Sequence, residues 1–237
     1  MTDIKALQLL SRFSLPPNSL GYCGKNSAAE KFKSCIISGN CLGVKEEIDK
    51  FLVLFPYLKT IAKITNLSTL DYKVIESFWL GNSLLKKATS KDYPLLLENF
   101  STQGIPKWLI EELKQRPPQK FIPHHLFQVL HVGVGRASNG VVPFNLESIN
   151  NCMIRWGNVK KLGKNNILVE LNSLEKSGKS YNLIKLEEKI PINKELIPEI
   201  KIGNTVAVHW KQVIKILDKT EEKNLHFWTK EVLDVVS

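Results

Sequence analysis

Apolar residues recur at helical spacing through most of the first 115 positions, and the chain then changes character. Thr2–Phe13 is predicted as a first helix. Leu15–Gly24, with two prolines and two glycines, is predicted as a rigid loop. Ser27–Ser38 is a second short helix. Val44–Ile64 is a long amphipathic helix, expected to bend at Phe55-Pro56 because proline removes a helix hydrogen bond. Leu70–Lys87 places Val74, Ile75, Phe78, Trp79, Leu80, Leu84 and Leu85 close to the i, i+3, i+4 pattern. Lys91–Phe100 and Lys107–Gln115 are shorter helices, and Arg116-Pro117-Pro118 ends the run.

Phe121–Pro143 connects the two halves. Its apolar positions Phe127, Val129, Leu130, Val132 and Val134 suit a strand or a helix equally. Beyond Cys152 the pattern becomes short β-prone runs: Met153–Lys161, Ile167–Leu171, Tyr181–Leu186, Val206–Trp210 and Val213–Leu217. Lys164-Asn165-Asn166 and Ser177-Gly178-Lys179 are turn signals between them. Such spacing predicts a small barrel. Asp218–Val235 follows as a helix, with Asp218 and Glu221 at capping-box spacing. The expected class is α+β: a helical domain over 1–120, a connecting segment over 121–147, and a β-barrel with a C-terminal helix over 148–237.

Composition changes this picture little. A chain of 237 residues can bury a core without disulfides. No run of 18 apolar residues predicts a membrane span, and the first residues lack a basic-then-apolar leader pattern, so a cytoplasmic protein is expected. The four cysteines form no C-x-x-C pair and are expected to stay reduced. Cys35 and Cys41, among Ile36, Ile37 and Leu42, are expected as apolar fillers. The net charge of +10 is spread over both halves with no run of five like charges, which fits a lysine-rich solvated surface. Nucleic acid is therefore not the expected partner. No P-loop, G-x-S-x-G or H-E-x-x-H is present, and Gly133-Val134-Gly135 lacks the third glycine of a dinucleotide loop.

Thiols and imidazoles are the candidate chemistry. Cys152 opens the β-rich third, and His209 lies in a later strand of it. His124, His125 and His131 place three of the five histidines within eight residues. In an extended segment His124 and His125 point to opposite faces, so one of them at most joins His131 at an ion; in a helix His124 and His131 share a face two turns apart and His125 is offset from them. Cys23 sits in a Gly-Tyr-Cys-Gly loop and is expected as a turn cysteine packed under Tyr22, with a second functional thiol facing Cys152 across a domain cleft as the alternative. Arg155, Trp156, Trp210 and Lys211 could form a basic–aromatic partner surface, although tryptophans more often fill a core.

Three runs, in order, are Cys152-Met-Ile-Arg-Trp-Gly157-Asn-Val159, Ile202-Gly203-Asn204-Thr-Val206-Ala-Val208-His209 and Asp218-Lys-Thr-Glu221-Glu222. In this order and spacing the last third resembles the HypC/HupF chaperones of [NiFe]-hydrogenase maturation. It departs from them in two places: Cys152 is internal rather than at the chain's start, and Arg155-Trp156 stands where their first strand has a proline. The resemblance implies a small barrel, iron carried as a cyanide- and carbonyl-bearing fragment, Cys152 and His209 at the metal, and the hydrogenase large subunit or other maturation proteins as partners. The whole chain is also similar to an uncharacterised bacterial family associated with hydrogenase gene clusters, on Pro16-Pro17-Asn18, Gly21-Tyr22-Cys23-Gly24, Pro123-His124-His125 and Arg155-Trp156-Gly157.

Three functions are open from sequence. The first is a hydrogenase-maturation accessory protein holding a metal fragment or a partner through Cys152 and His209 without turning over a substrate. The second is a metal- or thiol-dependent enzyme with an interdomain Cys/His site. The third is a nucleic-acid-binding barrel.

Overall fold

The computed structural model describes residues 3–24, 28–138 and 141–236. Thr2, Ser27, Asn139, Gly140 and Ser237, which fall within predicted elements or segments, lie outside the described residues. The architecture is α+β: helices over the first two thirds, then an antiparallel sheet closed off by a helix.

Helix α1 (Ile4–Ser19) runs through the predicted Pro16-Pro17 loop instead of stopping before it. Both prolines and Leu15 are buried, so packing holds the last turn helical against the local preference. Helix α2 (Ala28–Ser38) is followed by Gly39, and the chain returns so that Cys41 forms a disulfide with Cys35. This corrects the expectation that both thiols stay reduced. The predicted helix over Val44–Ile64 is two helices, α3 (Val44–Ile48) and α4 (Leu54–Thr65). The break falls at 49–53, and Pro56 occupies the first turn of α4, where no intrahelical donor is missed. The predicted helix over Leu70–Lys87 is also split. Helix α5 (Tyr72–Trp79), capped by Asp71, ends before Gly81. A Cβ at Gly81 would stand 2.2 Å from the Trp228 side chain, and its φ of +80° is left-handed, so the helix cannot continue there. Helices α6 (Tyr93–Gln103) and α7 (Lys107–Gln115) lie where the periodicity put them. The ambiguous connecting segment is helical: α8 (His125–Phe127) continues as a wide π-helical turn over Gln128–Gly133.

Helix α9 (Leu146–Cys152) precedes the sheet, so Cys152 ends a helix and does not start a strand. The strands are β1 (Arg155–Leu162), β2 (Asn166–Ser177), β3 (Ser180–Pro191), β4 (Thr205–His209) and β5 (Gln212–Ile216), in the order β3-β2-β1-β4-β5, all antiparallel. The expected barrel is not closed: among the described residues β3 and β5 approach one another without pairing. Helix α10 (Lys219–Val236) opens on the predicted capping box. Glu221 N–H donates to Asp218 Oδ1 at 2.9 Å, and Asp218 N–H to Glu221 Oε2 at 3.1 Å.

Alternation along β2 sends Ile167, Val169 and Leu171 into a small core with Val159, Val206, Val208 and Val213. The opposite faces of β1 and β4 carry Trp156 and Ala207 into a much larger core shared with the helices. That larger core runs across positions 120 and 147 and joins the helices to the sheet.

Candidate metal centre

The chain ends of four elements meet over one cavity: the end of α1, the start of α8, the end of α9 and the end of β4. The reason is the unspent hydrogen-bonding capacity of helix ends. The last carbonyls of α9 have no partner within the helix. The Cys152 carbonyl accepts from His125 Nε2 at 2.8 Å, and the Asn151 carbonyl accepts from the Trp210 backbone N–H at 2.7 Å. The first bond pins α8, and the second pins the turn that follows β4. In α1, Pro17 has no N–H to give the Phe13 carbonyl. His209 Nδ1 lies 2.8 Å from that oxygen and takes the place.

These bonds fix the tautomers, because a carbonyl oxygen only accepts. His209 carries its proton on Nδ1, so the lone pair is on Nε2. That atom is buried and makes no well-formed hydrogen bond, although the Cys152 backbone lies near enough to favour the protonated ring. A backbone carbonyl holding Nδ1–H is how protein imidazoles are commonly set for metal binding through Nε2. In His125 the proton is on Nε2 and the lone pair on Nδ1. Nδ1 makes no well-formed hydrogen bond, although Gln128 lies near enough to favour its protonated form.

His125, Cys152 and His209 each offer a donor atom, and the three atoms lie within 4.8 Å of one another. Cys152 Sγ is 4.0 Å from His125 Nε2. In a tetrahedral thiolate–imidazole site, with bonds of about 2.1–2.3 Å, neighbouring donors stand roughly 3.5 Å apart. The donors therefore stand slightly wider than ligand spacing, and His125 must give up its bond to the Cys152 carbonyl to present Nε2. All three are buried, with His209 1% and Cys152 7% exposed. Trp79 packs on both imidazoles, its ring centroid 4.5 Å from His125 and 5.7 Å from His209, and Phe13 stacks on Trp79 at 5.0 Å.

Burial sets the protonation. Desolvation lowers His125 to about 4 and drives His209 well below its ordinary value, with repulsion from His125 adding to the latter. Both rings are neutral at pH 7. Desolvation also raises the Cys152 thiol well above its ordinary value, and Cys23 adds to that shift. In the metal-free site the thiol is protonated, so a metal must displace a proton to make it a ligand.

The cavity above the cluster has a volume of about 450 Å³. Phe51, Leu54, Phe78, Trp79, Val134 and Trp210 are among its walls. Cys23 also lines it. Cys23 is exposed by area, yet its thiol is desolvated and pushed up to about 12. Cys23 thus presents its open surface where it lines the cavity, with protein around the thiol.

The other sequence candidates are placed elsewhere. His124 is buried beside the cluster and caps α8, its Nδ1 accepting from Leu126 N–H at 3.2 Å. His131 Nε2 pairs with the Tyr93 hydroxyl at 3.0 Å, outside the cluster. Arg155 and Trp156 correct the expected partner surface. Arg155 is 3% exposed and holds a bidentate ion pair with Glu188, and Trp156 is core. Trp210 is buried too, as a wall of the cavity with Tyr22 packed 4.6 Å from its ring. Sequence reasoning missed Trp79, Gln128 and the Phe13 carbonyl. The signal for the last was Pro17, which frees that oxygen only because the helix continues through it.

Fold and site together define an α+β protein with a buried Cys–His–His donor cluster opening on an apolar cavity. The chain belongs to the family of unknown function DUF6390, whose family model matches residues 2–237. No curated protein and no solved structure matches it.

Proposed function

We propose that this protein handles a metal, holding an ion or a metal fragment at Cys152, His209 and His125 for delivery during assembly of a metal centre, with [NiFe]-hydrogenase maturation the best-fitting context. The observation that carries the proposal is the convergence of one thiol and two neutral imidazoles within 4.8 Å in a buried site. A thiolate with imidazoles is a donor set for zinc, copper and low-valent iron. The His209 proton held by the Phe13 carbonyl leaves Nε2 ready, and neutral rings spare the metal any competition from protons above about pH 4 at His125. His125 engages a metal through Nε2, the ring nitrogen 4.0 Å from Cys152 Sγ, by giving up the Cys152 carbonyl and carrying its proton on Nδ1 instead.

The resemblance to HypC/HupF supports the hydrogenase context, since the two residues it singles out, Cys152 and His209, belong to the cluster. The curl that brings β3 toward β5 is in keeping with a small barrel. Iron bearing cyanide and carbonyl is the cargo that this resemblance suggests. The partner on that reading is the hydrogenase large subunit or another maturation protein. Replacing Cys152 by alanine in the host is expected to abolish hydrogenase activation while leaving the fold and expression of this protein unchanged. Hydrogenase activity at the wild-type level in that strain would refute the context.

A second reading, a metal-dependent enzyme, has one observation in its favour. Three protein donors leave a tetrahedral metal one open position, and the apolar cavity gives a substrate room beside it.

A further inference from the structure

We infer that Cys23 is a fourth ligand at this site, closing a Cys23–His125–Cys152–His209 set around a divalent metal at the inner end of the cavity. The inference deepens the proposed metal-handling function and rests on it.

Charge is the first reason. No aspartate or glutamate lines the cavity among the described residues, and the one charged side chain that does is Lys50. A divalent ion held by the Cys152 thiolate and two neutral imidazoles leaves a net positive charge among aromatic and aliphatic walls, where an uncompensated charge is costly. A second thiolate neutralises it, and Cys23 is the other thiol on the cavity wall. The exchange balances. The hydrated dication binds two thiols and two imidazoles, releases two protons, and sheds its waters, with no change of oxidation state.

Position is the second reason. Cys23 and Cys152 line the same cavity; Cys23 lies outside the 4.8 Å cluster, so its side chain turns inward to reach a metal held by the other three. The Cys23 carbonyl accepts from Asn18 Nδ2 at 2.8 Å, and the Cys23 N–H reaches the Pro17 carbonyl at 3.3 Å. Both anchors lie on the last turn of α1, whose Phe13 carbonyl positions His209. Gly24 next to it is left-handed, and a Cβ there would stand 2.4 Å from the Phe51 ring. The loop is therefore held against the cavity wall by its own backbone. The third reason is His209, a buried ring lining the same cavity whose Nε2 makes no well-formed hydrogen bond, with only the Cys152 backbone near it. Cys23 is the most accessible of the four, so an incoming metal meets it first and the three inner donors afterwards.

The test is anaerobic titration of the full-length protein with Co(II), comparing wild type, Cys23→Ser and Cys152→Ser. Thiolate-to-cobalt charge-transfer intensity grows with the number of thiolates bound. The expected result is that Cys23→Ser keeps a cobalt site with about half the wild-type intensity and binds at least tenfold more weakly. Wild-type cobalt should also protect Cys23 from alkylation by iodoacetamide. Cys23→Ser with wild-type intensity and affinity, or Cys23 alkylated equally fast with and without cobalt, would overturn the inference and leave the three-donor site standing. Absence of any cobalt binding by wild type would instead overturn the metal-handling function on which the inference rests.

Discussion

Pro17 lacks an N–H, and the effect is felt at His209. Because the Phe13 carbonyl has no helical donor, it holds Nδ1–H of His209 and leaves Nε2 as a buried acceptor without a well-formed hydrogen bond. Pro17→Ala would restore a competing N–H inside α1. We expect that variant to fold and to bind metal about tenfold more weakly, a loss of roughly 1.4 kcal/mol. Calorimetric titration against wild type checks this, and an unchanged affinity would mean that His209 is set some other way. The buried histidines also make the metal-free fold sensitive to acid. His124 is held down to about 3, and His125 and His131 to about 4, in each case chiefly by desolvation. The unfolded chain takes up protons near pH 6.5 while the folded one does not. Stability is therefore full above about pH 6.5 and is lost as the pH falls toward 4, by up to roughly 1.4 kcal/mol per pH unit for each fully buried ring. Urea denaturation of metal-free protein across pH 4–7 should show the midpoint falling, and His124→Gln should flatten the slope.

Elements matter here mainly through their ends. The β4–β5 turn is built on Trp210 and Lys211, both left-handed at φ 49° and 57°, where such turns favour Asn-Gly. Each costs on the order of 1 kcal/mol, and the Trp210 N–H bond to Asn151 helps to hold the turn. Lys211 is exposed, so Lys211→Gly should raise stability by about 0.5–1 kcal/mol, read from thermal melting. A drop in the melting temperature would show that its pairing with Glu147 outweighs the relief. Helix α10 offers the opposite case. Asp218→Ala removes an N-cap that accepts from Thr220 and Glu221 N–H at 2.7 and 2.9 Å, and should cost about 1 kcal/mol in chemical denaturation. At this scale the sequence was legible where patterns were local. Lys107–Gln115, the presence of five strands, both strand-connecting turns and the Asp218–Glu221 cap could be read from periodicity and turn residues, whereas β2 and β3, 12 residues each, run well past the predicted Leu171 and Leu186. Helix α1 could not, because burial of Leu15, Pro16 and Pro17 overrides what proline does in isolation. The breaks after α3 and α5 were also hidden: the first lies ahead of the proline that signalled it, and Gly81 is a stop only because Trp228 packs over it.

Across the whole molecule, helices and sheet share a core, and the site sits where their ends meet. Cys152 and His209 were paired in the sequence only through a resemblance, and the structure brings them into one cluster with His125. His125 could be narrowed only to a local trio, because selecting it over His124 and His131 takes the turn of α8 and a bond to the Cys152 carbonyl 27 residues away. Arg155 and Trp156 misled because charge and aromaticity suggest a surface, whereas pairing with Glu188 and the packing of β1 bury both. No described helix is long and apolar enough to cross a membrane. The convergence of four chain ends on one thiol and two imidazoles gives this fold a function to test directly. The decisive measurement is elemental analysis of the protein purified without oxygen from its host, alongside Cys152→Ala. Metal handling predicts close to a single equivalent of a transition metal in wild type and little in the variant. Metal-free wild type that also fails to take up added metal, or equal metal in both proteins, would contradict it.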